Sequence, residues 1–248
     1  MTGVEEQNRV FFEGIYQEVW RSMIPDALTE AEADFIVSTA ALKQGGNVLD
    51  LMCGYGRHAL ALAARGCSVV AIDSSEAYIQ ELQERAEGLP ITALVGDVAT
   101  MPVEGSFHAA ICMGNSFSFL SRQTLLQLFR QIHAALLPGG MLVINTWMIA
   151  EIVFRHFKER EWHQVGPYKY LVESSYRTQP SRVCAEHTIV CTDGSVESLQ
   201  ATDFVFSLSE LTDMLAQCGM QVVQVYATPR CKPFQLGDNK AYIVAQKA

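Results

Sequence analysis

Two carboxylates lie at or just beyond the ends of short apolar runs and a third stands inside one, and the acid that ends the second run is placed to receive a ribose. Asp50 stands within the run 47–51, Asp73 ends the run 68–72, and Asp97 follows the run 91–95. An acid at the tip of a second strand can accept two hydrogen bonds from a ribose diol. Asp97 can accept from an exocyclic amino group while Val98 offers an apolar wall and a backbone N–H; a simple turn cap is the alternative for Asp97. Between the first two acids runs Cys53-Gly54-Tyr55-Gly56-Arg57. Gly54 and Gly56 would let the backbone approach a ligand where a Cβ would collide, and a helix N-terminus with unpaired N–H groups follows at once. A dinucleotide fingerprint would need a third glycine where Ala59 stands, so no pyrophosphate cradle is expected. The six histidines and seven cysteines form no CxxC pair and no zinc spacing, so no metal centre is expected.

The elements that must hold these groups follow from periodicity and punctuation. Strand 47–51, a helix ending at Gly66 and strand 68–72 make half of a nucleotide-binding βαβ unit. Ser74 or Ser75 caps a helix reaching about Glu87, and strand 91–95 follows. Strand 108–112 runs into Met113-Gly114-Asn115-Ser116, where Asn115 and Ser116 could polarise a substrate or merely satisfy loop backbone. An amphipathic helix opens at Ser121, and Pro138-Gly139-Gly140 turns it into a strand over 141–147. Upstream, residues 5–23 carry Phe12, Tyr16, Val19, Trp20 and Met23 on one helical stripe. Pro25 breaks that helix, and Thr29 with Glu32 reads as the capping box of a second one reaching about Leu42. Beyond Trp147 a short helix to about Phe157 gives way to alternating polar and aromatic segments. They predict an antiparallel insert of about three strands, with Tyr168, Tyr170, Tyr176 and His187 on a face turned toward the main sheet. Ordinary packing is the alternative for these four. Ser207 with Glu210 makes a further capping box, and strands 221–226 and 241–246 close the chain.

The pattern DLMCGYGRH followed by VVAID, with the helix-PGG-strand sequence downstream, resembles class I S-adenosylmethionine-dependent methyltransferases of the small-molecule type. The resemblance implies an α/β fold: a doubly wound, seven-stranded, mostly parallel Rossmann-like sheet with an antiparallel β insert after strand five. It implies S-adenosylmethionine as cofactor. Asp50 with the backbone at Cys53 and Gly54 would face its amino acid part, Asp73 beside Ser74 the ribose, Asp97 with Val98 the adenine, and the backbone at Met113 the sulfonium. Tyr16 and Trp20 would lie over it, and Arg57 would pair its carboxylate or else make a structural ion pair. Subgroups that methylate planar amides carry an Asn/Asp-Pro-Pro-aromatic sequence where this chain has Met-Gly-Asn-Ser, which points away from nucleic-acid bases. The acceptor would be a small molecule methylated at N or O, with His187, His163 and Asn115 as first candidates for catalysis. Division into 1–45 (helical cap), 46–148 with 207–248 (cofactor-binding domain) and 149–206 (substrate-covering insert) follows.

Composition bounds the partners. With 49% hydrophobic and 18% charged residues, disorder is not expected. A net charge of −9 and no run of Lys and Arg argue against nucleic acid and anionic membranes. The odd set of unpaired cysteines and a polar, acidic opening without a signal peptide predict a cytoplasmic chain. No stretch is long and apolar enough to span a membrane. Oligomeric state is not legible. Two other readings fit parts of the pattern: a non-catalytic S-adenosylmethionine-binding or sensing protein, and an NAD-dependent oxidoreductase whose glycine spacing would be irregular.

Overall fold

The computed structural model describes residue 8, residues 11–12 and residues 14–248; the opening run 1–7 and residues 9, 10 and 13 of the helix expected over 5–23 lie outside them. In chain order the elements are α1 (Tyr16–Ser22), α2 (Asp26–Thr39), β1 (Asn47–Leu51), α3 (Arg57–Ala64), β2 (Ser68–Asp73), α4 (Glu76–Arg85), β3 (Ile91–Val95) and β4 (Phe107–Cys112). A 3-10 turn (Ser116–Phe119), α5 (Arg122–Ala135), β5 (Leu136–Thr146) and α6 (Ala150–His156) follow. Strands β6 (Arg160–Val165), β7 (Tyr168–Thr178), β8 (Ser181–Val190) and β9 (Val196–Phe204) precede α7 (Leu208–Gln217), β10 (Met220–Tyr226) and β11 (Ala241–Lys247).

The main sheet has seven strands in the order β10-β11-β5-β4-β1-β2-β3. Strand β1 pairs in parallel with both β2 and β4, so the chain winds away from it in two directions and leaves a crevice at the carboxyl ends. Strand β11 runs antiparallel to β5 and β10. Alternate residues of each central strand feed two separate cores: Leu49 and Leu51 pack with α5 and α7, while Val48, Val69 and Ile111 pack with α2 and α3. Both faces being covered, these strands are apolar almost throughout.

Local chemistry explains most boundaries. Ser75 accepts from the Tyr78 N–H at 3.3 Å and starts α4, and Ser207 with Glu210 forms a complete capping box on α7. The Thr29–Glu32 box does not start α2. That helix begins at Asp26 on an extended Pro25, which places Glu32 in its interior, 1% exposed. The Pro138-Gly139-Gly140 turn is a bulge inside β5: Leu136 pairs with Phe107 and Met141 with Ala109, and residues 137–140 loop out opposite His108.

The second sheet has four strands, not three, in the order β6-β7-β8-β9. Its inner face carries Tyr170, Ile189 and Ala201, which pack on Phe11, Tyr16 and Val19. It lies across the carboxyl edge of the main sheet, with the segment around α1 wedged between. Among the described residues no helix is long and apolar enough to cross a membrane.

Candidate active site

The crevice beside β1 is built from backbone bends that the sequence permits. Met52, Gly54 and Gly56 all take positive φ, at 56°, 55° and 76°. This coils the loop so that the Gly54 N–H donates to Asp73 Oδ2 at 2.8 Å, while the Ser75 N–H donates to Asp73 Oδ1 at 2.9 Å. Each oxygen keeps a lone pair for a ligand hydroxyl. Burial pushes the Asp73 carboxyl above its ordinary range, opposed by the backbone N–H groups of Ser75, Gly54 and Ser74. Gly54 has no atom near its missing Cβ except a Tyr78 ring carbon at 4.0 Å, so its bareness faces the crevice. Gly56 is different, because a Cβ there would strike the Leu82 side chain. It does not line the crevice; its absent side chain lets α4 pack against the loop.

Asp50 is 1% exposed and its Oδ2 has no hydrogen-bond partner. Burial pushes its carboxyl up to about 7, against the pull of the Arg57 charge and with a further push from Asp73. A buried acceptor left open in a ligand cleft marks a place for a donor from outside the chain. Arg57 does not reach outward: its Nη1 donates to Glu32 Oε2 at 2.7 Å and Thr29 Oγ1 at 2.9 Å. Of the two sequence readings for Arg57, the structural ion pair is the one the geometry gives.

Farther along the crevice, Asp97 Oδ1 accepts from the Ala99 N–H at 2.9 Å, and Val98 is buried beside it. Cys53, Ser74 and Met113 line the same cleft, with Trp20 above and Tyr78 at one side. The Cys53 thiol is raised well above its ordinary range by burial and by Asp50 and Asp73, so it is not a nucleophile. Tyr16 is not in this cleft. It stacks against Trp20 at 6.5 Å and faces a second, larger chamber of about 800 Å³ under the four-stranded sheet.

That chamber collects the other candidates. His187 Nδ1 and the Tyr170 hydroxyl are hydrogen-bonded at 2.5 Å, and the Tyr16 and Tyr170 rings lie 6.1 Å apart. Burial holds His187 down to about 4, so its imidazole is neutral at pH 7. His163 lies at the rim, with its side chain 49% exposed and 3.7 Å from Glu161. Asn115 is occupied: its Nδ2 donates to Ser118 and Asp203, and its Oδ1 accepts from Thr146 Oγ1 at 2.7 Å and the Trp147 N–H. With every polar position of its amide engaged, it cannot polarise a substrate, which corrects its place among the catalytic candidates. Sequence reasoning missed Asp203, Tyr78 and Asn8. Asn8 makes a two-way pair with the Thr202 backbone, at 2.8 and 2.9 Å, and closes the cleft. Nothing local in the sequence marks any of the three.

The comparisons with known proteins agree with this geometry. Residues 48–140 match the family of the methyltransferase domain. A carboxy-S-adenosyl-L-methionine synthase from Geobacter metallireducens is 26% identical over 189 residues, covering 69% of this chain and 74% of that protein. The structure of the CcbJ methyltransferase from Streptomyces caelestis superposes with a TM-score of 0.80 at 22% identity, covering 92% of this chain and 98% of that one. An amino pentose methyltransferase from Micromonospora echinaspora with S-adenosylmethionine bound gives 0.72 at 20% identity, covering 95% and 98%. Residues 48–140 thus match a methyltransferase domain, and the fold is that of the class I S-adenosylmethionine-dependent methyltransferases. S-adenosylmethionine is the chain's cofactor, and the open Asp50 oxygen is the feature of the cleft that suits a molecule with an ammonium group.

Proposed function

We propose that this chain methylates a nitrogen or oxygen atom of a small molecule held in the chamber under the four-stranded sheet. The observation that carries this reading is continuity: Phe12, Trp20, Gly114 and Phe119 line both the cofactor cleft and the chamber. An acceptor in one can therefore meet a group held in the other. When bound, S-adenosylmethionine supplies a methyl group on a cationic sulfur that departs as a neutral thioether.

The chain's own residues place and enclose these partners. Asp50 Oδ2 would receive the cofactor ammonium, Asp73 the ribose diol, and Asp97 with Val98 the adenine edge, while the Met113 backbone would border the sulfur and Trp20 would cover it. The described part of the segment 1–45 serves as the cap and 149–206 as the cover, excluding water from a reaction in which positive charge moves from sulfur to the acceptor. Several free cysteines and no disulfide fit a reducing cytoplasm. The net negative charge of the chain disfavours nucleic acid as the acceptor.

The reading is tested by incubating the protein with methyl-labelled S-adenosylmethionine and a panel of small amines and alcohols. Label should appear in at least one acceptor. Tight binding of the cofactor with no transfer to any member would favour a sensing role instead. Asp73→Ala should weaken binding of the demethylated cofactor by about 1–3 kcal/mol, the cost of an unpaired buried diol, as read by titration calorimetry. His187→Ala should lower turnover while leaving that affinity unchanged, because His187 touches the chamber and not the cleft. Unaltered turnover would make it a packing residue.

A further inference from the structure

On the chamber floor stands a carboxylate that the cofactor cleft does not use. Asp203, on β9, is 8% exposed, and no Lys, Arg or His pairs with it among the described residues. Only one of its oxygens is engaged: Oδ1 accepts from Asn115 Nδ2 at 3.0 Å and from Ser118 Oγ at 2.5 Å. Oδ2 makes no hydrogen bond, and the residue lines the chamber. A buried carboxylate ordinarily has a cation or a full set of donors. Here two neutral donors hold one oxygen and fix the plane of the group, so that the other points at whatever enters.

The support behind it has no other evident purpose. Asn115 takes a left-handed backbone, φ 72°, uncommon for a residue with a side chain, and its own oxygen is held by Thr146 and Trp147. Ser118 is fully buried in the 3-10 turn. All of this follows directly on Gly114, one of the residues shared by the two cavities. Tyr16 and Tyr170 line the same chamber as the open oxygen, and no basic side chain is paired with it there among the described residues. Burial also pushes the Asp203 carboxyl up to about 6, against the Ser118 and Asn115 hydrogen bonds, which makes it a usable proton acceptor near neutral pH.

We infer that Asp203 Oδ2 is the acceptor-binding group and that the acceptor is an amine entering as its ammonium. This rests on the methyl-transfer reading and narrows it to nitrogen. The ammonium gives one N–H proton to Oδ2. The lone pair so released forms the N–CH3 bond as the S–CH3 bond breaks with its electron pair staying on sulfur. The proton then passes from Oδ2 to solvent, one per methyl transferred.

The test is binding, not turnover. Protein loaded with the demethylated cofactor is titrated with cyclohexylamine and with its isostere cyclohexanol. The amine should bind at least about tenfold more tightly, equivalent to about 1.4 kcal/mol. In Asp203→Asn the preference should vanish while affinity for the demethylated cofactor stays within about twofold. Equal affinity for amine and alcohol, failure of both to bind, or a preference that survives in Asp203→Asn would overturn the inference. The wild-type comparison needs no variant, so a poorly folded Asp203→Asn leaves it decisive. Failure of the loading step itself would instead count against the cofactor cleft, which keeps the two readings apart.

Discussion

Asp50→Asn should strengthen the cofactor-free protein and weaken its hold on the cofactor. The wild-type carboxylate is buried with one oxygen unpartnered, and burial raises its folded pKa to about 7. A carboxyl whose folded pKa lies above its unfolded value costs stability fully above pH 7, and the cost fades as pH falls toward 4. At about 1.4 kcal/mol per unit the cost is on the order of 4 kcal/mol at pH 8. The asparagine must still find an acceptor for its own amide, so a net gain of about 2 kcal/mol in urea unfolding at pH 8 is expected, shrinking to nothing near pH 4. Loss of a charge-assisted hydrogen bond to the cofactor ammonium should weaken binding by about 1.5–3 kcal/mol. The pH dependence separates this from a general loosening. Below pH 7 the wild-type oxygen takes a proton that the ammonium must displace, so affinity should fall by up to about tenfold per unit of pH and binding should release a proton. In Asp50→Asn both effects should disappear. Calorimetry with the demethylated cofactor from pH 5.5 to 8 reads them, and a flat wild-type profile would remove Asp50 from the site.

The cofactor cleft was legible because its parts are near in sequence and each answers to local rules. A strand tip places Asp73, a loop that turns through positive φ needs Gly54, and the acid after β3 falls at the same sheet edge. Gly56 fitted the spacing for a different reason, since its missing side chain makes room for Leu82 rather than for a ligand. The chamber was hidden because it is assembled across long separations. Asp203 and Asn115 meet from positions 88 apart, and that meeting depends on the β8–β9 register that sets Asp203 opposite Val183. Tyr16 lay on the expected helical stripe, but a stripe gives a face and not the cavity it turns to. Strand β6 was missed because its residues are almost all exposed, and without burial on one face there is no apolar alternation to detect. Its neighbours β7 and β8 have that alternation and were read correctly as strands.

Glu32→Ala should be the most damaging single change away from either cavity. Thr29 and Glu32 cap no helix start; both lie inside α2, where Glu32 makes a buried ion pair instead. Three side chains from two elements converge on Glu32: Arg57 and His58 from α3 reach Oε2 at 2.7 and 3.0 Å, and the Tyr242 hydroxyl from β11 reaches Oε1 at 2.8 Å. Burial would raise this carboxyl, but the His58 hydrogen bond, the Arg57 charge and Tyr242 outweigh it and hold it at about 2. Removing the acid leaves a mostly buried guanidinium without its counter-ion, which costs about 3–5 kcal/mol. For a chain of this size that corresponds to a fall in Tm of about 10 °C. Two limbs of acid sensitivity surround this cluster. Burial and then Arg57 hold His58 down to about 4, so the stability tied to its neutral form is present above pH 6.5 and lost as pH falls through 4. The contribution of Glu32 persists lower, being lost only between about 4.5 and 2. Glu32→Gln, which keeps the shape and a partner for one donor, should therefore be milder than alanine at pH 7 and should lose the lower limb alone. Urea unfolding of the two variants at pH 7, 5 and 3 reads both limbs. A Glu32→Ala protein as stable as wild type at pH 7 would mean that the hydrogen bond from Arg57 to Thr29 and a new partner suffice for the guanidinium.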